Sequence, residues 1–193
     1  MSLVTLTVFL TMFMFFVIAG LRFFVRGKPN VQWVLTLAPF VAIASIMVLS
    51  YLGTIKTPFD STSPLSQILA SVGALLCCLA ILIFGITIGT HREPIPMWHQ
   101  EKDKPNTVVT WGAYRYVRHP FYSSYFIYFI GCMLVVPSEL MLVAVLYGMF
   151  ILNITAAKEE VELTEIFGNE YTRFIKRTGR FIPKFSSIMG SSK

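Results

Sequence analysis

The sequence predicts an all-α integral membrane protein of five transmembrane helices, the fourth and fifth forming a short hairpin, with a small cytosolic cap made by the 91–118 loop and the carboxy-terminal tail. Three observations carry this prediction. Hydrophobic residues make up 55% of the 193 residues, charged ones 13%, and the mean hydropathy is +0.67, too apolar for an ordinary soluble domain. Five stretches hold no charged side chain: Leu3 to Leu21, Val31 to Ile55, Leu65 to Thr90, Phe121 to Ser138 and Leu140 to Ala157. The cations also sort by side once five spans are threaded, 15 of the 16 Lys and Arg falling on one side and Lys56 alone on the other.

The first three stretches are long enough to cross about 30 Å of hydrocarbon as helices, and the last two stand at the short end of the usable range. Helices are the economical form because backbone polar groups cannot stand open in lipid. No basic segment precedes the first stretch and no small-x-small site follows it before Arg22, so it is expected to be retained rather than removed as a signal peptide. In the third stretch Gly85 and Gly89 are four apart, and Ser66, Ala70 and Ala74 repeat the spacing, a pattern that more often marks close helix packing than approach to a ligand. Between the fourth and fifth stretches only Pro137, Ser138 and Glu139 intervene, which calls for a tight turn. The fifth helix is expected to continue past the membrane to near Gly168. A short amphipathic helix then places Tyr171, Phe174 and Ile175 on one face and leaves Arg173, Lys176 and Arg177 available to the lipid surface, with Gly179 and Pro183 closing it.

By the positive-inside tendency the amino terminus lies outside and the carboxy terminus in the cytosol. The net charge of +6 follows from the same sorting, so it speaks for anionic lipid and not for nucleic acid. Two parts result: residues 1–90, a three-helix membrane part, and residues 91–193, where the polar and aromatic side chains collect, with the hairpin at 120–167. Cys77, Cys78 and Cys132 lie inside apolar runs at no metal or redox spacing, and His91 and His99 match no standard ligand pattern, so neither a disulfide nor a metal is expected. No glycine-rich phosphate loop or GxGxxG is present.

The stretch "GAYRYVRHPFYSSYF" at 112–126 is where chemistry concentrates. Proline disfavours helix at the residue before it and suits the first helical turn, so His119 is expected to be extended and a helix to begin at Pro120. That sets unpaired backbone N–H groups at the membrane boundary beside Arg118 and His119, an arrangement suited to an anionic group, with Tyr114, Tyr116 and Tyr122 offering flat faces to a heterocycle or anchoring at the interface.

Together with "KEEVELTEIFGNEYTRFIKRTGRFIP" at 158–183, this stretch resembles the signature of the isoprenylcysteine carboxyl methyltransferase family, approximately GxYxxxRHPxYxG, a hairpin, then EExxLxxxFGxEYxxYxxxTxRxIP. The likeness covers about residues 100–183 and extends to the superfamily that contains phospholipid methyltransferases. It implies an S-adenosylmethionine-dependent methyltransferase, with S-adenosylhomocysteine as product, whose lipophilic acceptor enters from the bilayer. Carried over position by position, it implies cofactor contacts at Gln100, Asn106, Thr107, Val108, Val109, Tyr114, His119, Pro120, Phe121, Tyr122 and Glu159, with orientation by His119 and Tyr122, and acceptor contacts at Arg118 and Thr155.

Two positions depart from the pattern. Ser123 stands for the glycine after RHPxY, and Thr155 stands where animal members carry an arginine that helps to anchor prenylcysteine. Five spans also make a compact, prokaryotic-type homologue, in the plasma membrane if prokaryotic and the endoplasmic reticulum if eukaryotic. The leading expectation is methyl transfer to the carboxylate of a prenylated cysteine or similar lipophilic acid. Such an acceptor is already ionised at neutral pH and needs no general base, which agrees with the absence of a recognisable triad. Second is N-methylation of a phospholipid amine, which needs a base such as His119. A sterol-reductase-like oxidoreductase, suggested by the Tyr-rich tail and its terminal IP, is third.

Overall fold

The computed structural model describes residues 3–19, 24–25, 28–29, 31–58, 62–90 and 107–184. Six α-helices appear among them: α1 (Leu3–Ala19), α2 (Val31–Tyr51), α3 (Pro64–Thr90), α4 (Pro120–Val135), α5 (Glu139–Phe167) and α6 (Asn169–Arg177). A single 3-10 turn covers Gly112–Arg115, and β1 (Phe24–Val25) pairs antiparallel with β2 (Lys28–Pro29), Phe24 opposite Pro29. Within α2, α3 and α5 lie segments long and apolar enough to cross a membrane, while Val4–Phe15 and Pro120–Val135 are apolar but shorter. Among the described residues each of the five charge-free stretches holds one of these helices. The longest is α5, with 29 residues, about 44 Å at 1.5 Å per residue against about 30 Å for a hydrocarbon layer, and its charged end begins at Lys158. α2 runs through Pro39 without ending.

The chain divides into two compact units. The first comprises Met1–Ile81 and Tyr125–Leu152, the second Leu82–Ser124 and Asn153–Lys193. The first is held by aromatic and small-residue contacts. Phe15 meets the rings of Tyr125 and Tyr128 at 5.1 and 5.0 Å, and Phe40 meets those of Tyr125 and Phe129 at 5.0 Å each, in tilted and edge-on geometries that suit ring quadrupoles. Tyr128 is wholly buried and donates its hydroxyl hydrogen to the Val8 carbonyl at 3.2 Å.

In this unit Gly73 on α3 and Gly131 on α4 bring backbone close to backbone. A Cβ on Gly73 would meet the Gly131 carbonyl oxygen at 2.5 Å, and one on Gly131 would meet the Gly73 oxygen at 2.7 Å. The packing expected of Gly85 and Gly89 is not found there: both are exposed, and among the described residues a Cβ on either would meet nothing within 4 Å. Small-xxx-small spacing identifies a face that permits close approach, but which glycine is used depends on what lies opposite.

In the second unit α5 stops at Phe167 and Gly168, at φ +53°, turns the chain into α6. Tyr171 and Phe174 of α6 pack with Val108, and Tyr114, Leu163, Phe167 and Ile175 lie against that cluster. The amphipathic tail helix thus spends its apolar face on the protein itself, leaving Arg173, Lys176 and Arg177 exposed. Trp111 donates its indole N–H to the Thr90 carbonyl at 2.8 Å, and Gly112, at φ +59°, sits against the Thr90 side chain.

Candidate functional site

The site is assembled on three pieces of the second unit: residues 116–123, the α5 turn around Glu159 and Glu160, and residues 178–181. Backbone pairing joins the first piece to the last. Val117 bridges Gly179 in parallel sense, the Arg118 N–H donates to the Gly179 carbonyl at 2.9 Å, the His119 N–H to the Arg180 carbonyl at 3.1 Å, and the Gly179 N–H to the Tyr116 carbonyl at 3.3 Å. The residues before Pro120 are therefore extended, as the proline demands, and their polar backbone is satisfied by the tail. Ser123, one turn into α4, adds a hydroxyl donation to the Phe181 carbonyl at 2.7 Å. Glycine is required at 179, since a Cβ there would run into the Ile182 carbonyl oxygen.

On this frame two adjacent carboxylates receive the cationic side chains. Glu160 is buried. Its Oε1 accepts from Arg118 Nε at 2.8 Å and Arg180 Nε at 3.1 Å, its Oε2 accepts from Arg180 Nη2 at 2.7 Å, and His119 Nε2 lies 3.3 Å from Oε1. Arg118 also donates from Nη1 to the carbonyls of Thr178 at 2.5 Å and Ile175 at 3.2 Å, closing the end of α6. Glu159 accepts from the Tyr122 hydroxyl at 2.5 Å and faces His119 Nδ1 at 3.3 Å. The His119 ring stacks on that of Tyr122, centroids 5.5 Å apart.

Charge states follow from this geometry. Burial alone would lower the His119 pKa, but its bonds to Glu159 and Glu160 prevail and raise it above 6.5. For Glu160, which lies beyond the charge-free stretch ending at Ala157, burial pushes the pKa up. The bonds from His119, Arg180 and Arg118 overcome this and hold it far below the ordinary carboxylate range. The hydrogen bond to Glu160 raises Arg180 further. Burial, reinforced by Glu159, pushes the Tyr114 phenol up, so it stays neutral.

Of the residues singled out in the sequence, the structure brings Arg118, His119, Tyr122 and Glu159 together at the start of α4, with Tyr114 near enough to Glu159 to feel its charge. Pro120 is the first residue of α4 and is buried; Phe121 meets Phe84 at 5.2 Å. Val108 is buried in the α6 cluster, Val109 is half-buried and Thr107 exposed. Gln100 and Asn106 lie outside the described residues. Thr155 is 4% exposed, one helical turn before Glu159. Arg118, read in the sequence as an acceptor contact, directs its guanidinium to Glu160 and to the carbonyls of Ile175 and Thr178.

Glu160 and Arg180 are the centre of the cluster, and sequence reasoning passed over both. A signal was present for Glu160: Val145, Leu152 and Ala156 are all buried on α5, and Glu160 continues that helical stripe where a polar face would be expected to take over. A carboxylate that continues a buried stripe needs a cation. Arg180 carries no local signal, since its partner is set by the tail's return across 116–119. Among the described residues no group of His, Cys, Asp and Glu is placed to hold a metal.

Residues 68–170 match the family described as phospholipid methyltransferase. Over 86 residues the chain is 35% identical to a protein named Protein-S-isoprenylcysteine O-methyltransferase from Schizosaccharomyces pombe, a similarity that covers 43% of this chain and 36% of that protein. The chain therefore aligns with little more than a third of the relative's length.

Proposed function

The chain belongs to the phospholipid methyltransferase family, a family of membrane methyltransferases, and from that premise we propose that it is an S-adenosylmethionine-dependent carboxyl O-methyltransferase acting on a prenylated cysteine or a similar lipophilic acid. The name of the Schizosaccharomyces pombe relative supports the acceptor class, and the His119 clamp carries the choice of reaction. Both ring nitrogens of His119 face carboxylate oxygens at 3.3 Å, an arrangement that only the imidazolium satisfies with two donors. A histidine so held is no proton acceptor, whereas an amine acceptor must lose a proton on methylation. A carboxylate acceptor needs no base.

The residues present fit the cofactor. Glu159 keeps a carboxylate 19% exposed, oriented by Tyr122 and His119, for an ammonium group or ribose hydroxyls. Tyr114 lies within reach of its charge. S-adenosylmethionine, when bound, supplies an activated methyl on its sulfonium, which leaves binding and in-line orientation to the protein. His119 and Tyr122 fix the carboxylate, and the returning tail fixes His119 through its backbone. In this reading the chain crosses the bilayer five times, with α4 and α5 as the short hairpin, its amino terminus outside and its carboxy terminus cytosolic. Lipid reaches the site from the membrane, in the plasma membrane of a prokaryote or the endoplasmic reticulum of a eukaryote.

The test incubates the protein in lipid with methyl-labelled S-adenosylmethionine and candidate acceptors, then treats the product with alkali. Volatile methanol marks the expected ester. Label retained on a phospholipid amine would establish the second reading, which the family description favours. Glu159→Gln and His119→Ala are each expected to weaken cofactor binding in calorimetric titration while the membrane helices stay folded; unchanged affinity in both removes this assignment.

A further inference from the structure

The position expected to supply a cation for the acceptor, Thr155, is buried and uncharged, yet among the described residues of the same unit the pairing around Glu159 and Glu160 leaves one cation in excess. Glu160 is already met by Arg118 and His119 when Arg180 adds a bidentate fork from Nε and Nη2. With His119 as imidazolium, three cations face Glu159 and Glu160, and among these described residues a positive charge remains over. Arg180 is where that charge meets its surroundings: its side chain is 33% exposed, against 8% for Arg118. Its Nη1 donates to Asn153 Oδ1 at 3.0 Å. That neutral acceptor steadies the guanidinium plane without cancelling its charge. Of the five N–H groups of an arginine, the bonds to Glu160 and Asn153 take one each at Nε, Nη2 and Nη1. Among the described residues nothing takes the second hydrogens of Nη1 and Nη2.

Depth gives the direction. Asn153 is exposed and lies within the charge-free stretch 140–157, five residues or about 7.5 Å of helix before Lys158. A guanidinium drawn back to that level stands at the edge of the apolar layer, where an ionised side chain is paired or functional. We propose that Arg180, steadied by Glu160 and Asn153, holds the carboxylate of the lipid-tailed acceptor and thereby selects acids over neutral head groups. The assignment rests on the carboxyl-acceptor reading above and names the residue that performs it. A planar fork with two unspent donors matches a carboxylate, and the tail that carries Arg180 is the same segment that pairs with Arg118 and His119.

The test uses the full chain in lipid nanodiscs and titrates a prenylcysteine against its carboxamide, which keeps the lipid tail and removes the charge. Wild-type protein is expected to prefer the acid by about tenfold or more, the range of a charge-assisted contact. Arg180→Gln should bring that ratio near one. Because Arg180→Gln also strips Glu160 of a partner, a second variant, Asn153→Asp, leaves the Arg180–Glu160 fork in place and sets a competing carboxylate against Nη1, beside the donors proposed for the ligand. It should weaken the acid about tenfold and the carboxamide by no more than about threefold, with donor affinity little changed. If wild type prefers the acid and the folded Asn153→Asp and Arg180→Gln proteins keep that preference, Arg180 is not the anchor. Equal binding of acid and carboxamide by the wild type would instead sink the carboxyl-acceptor reading and this assignment with it. An Arg180-dependent preference for a phospholipid phosphate over the prenylcysteine acid overturns the acceptor class.

Discussion

The two units of this chain are held by different forces. In residues 1–81 and 125–152 the contacts are ring on ring and glycine on glycine, with Phe15, Phe40, Tyr125, Tyr128 and Phe129 around one centre and Gly73 against Gly131. In residues 82–124 and 153–193 a buried carboxylate collects two arginines and a histidine, and a returning tail pairs its backbone with the segment before Pro120. Dispersion packing is indifferent to pH and tolerates many apolar substitutions of similar volume. An ion cluster is not tolerant: each partner is needed to offset the desolvation of the others. The first unit is thus a scaffold, and the second is where single substitutions should change chemistry.

The contrast is sharpest at Glu160. Glu160→Ala leaves Arg118 buried without its anion and His119 with only Glu159 of its two, a change typically costing about 3–5 kcal/mol. It should release the cap, with amide exchange rising across 107–124 and 153–184 and unaltered across 125–135. Uniform protection in the variant would mean that the cluster does not hold the unit together.

Gly73→Val tests the other side. Its Cβ would lie 2.5 Å from the Gly131 carbonyl oxygen, so the helices must part, at about 1–3 kcal/mol for overpacking. Thermal stability in detergent should fall while the affinity for S-adenosylmethionine is preserved. Lost cofactor binding at full stability would erase the distinction between scaffold and site.

Tyr122→Phe is a smaller change. It removes one hydrogen bond to Glu159 and keeps the ring against His119. Cofactor affinity should fall about tenfold or somewhat more, the scale of a single bond to a charged group, with the melting temperature little moved. An affinity equal to wild type would show that Glu159 does not need its tyrosine.

The smallest effect is a pH dependence confined to the second unit. His119 has a raised folded pKa, so its contribution is complete below the ordinary value of 6.5 and declines as pH rises through the raised value. Glu160 has a lowered one, so its contribution is complete above the ordinary 4.5 and declines only as pH falls towards the depressed value. The cap should be firmest between 4.5 and 6.5 and loosen on the alkaline side, while the first unit stays level. Exchange protection measured from about pH 6 to 9 and corrected for intrinsic rates checks this; a flat profile in the cap would remove His119 from the cluster's energetics.

By itself the sequence determined the solvent and the helices. A stretch without charge in an apolar chain has one way to satisfy its backbone in lipid, so each of the five charge-free stretches holds one of the helices α1 to α5, and Pro120 starts α4 because a proline cannot follow a helical residue comfortably. It also determined which residues are candidates, since Arg118, His119, Tyr122 and Glu159 stand in motifs that survive as text. Tertiary structure alone decided their partners. Glu160 reads as one more acid in a charged run until α5 is seen to bury it, and Arg180 reads as one more tail cation until residues 178–181 return alongside 116–119. Gly73, not Gly85 or Gly89, became the close contact because Gly131 stands opposite it. Local pattern fixes what each residue is able to do along its own helix; which charge is neutralised, and which is left to meet a ligand, depends on groups about 20 to 60 residues away that only the folded chain brings within 3 Å.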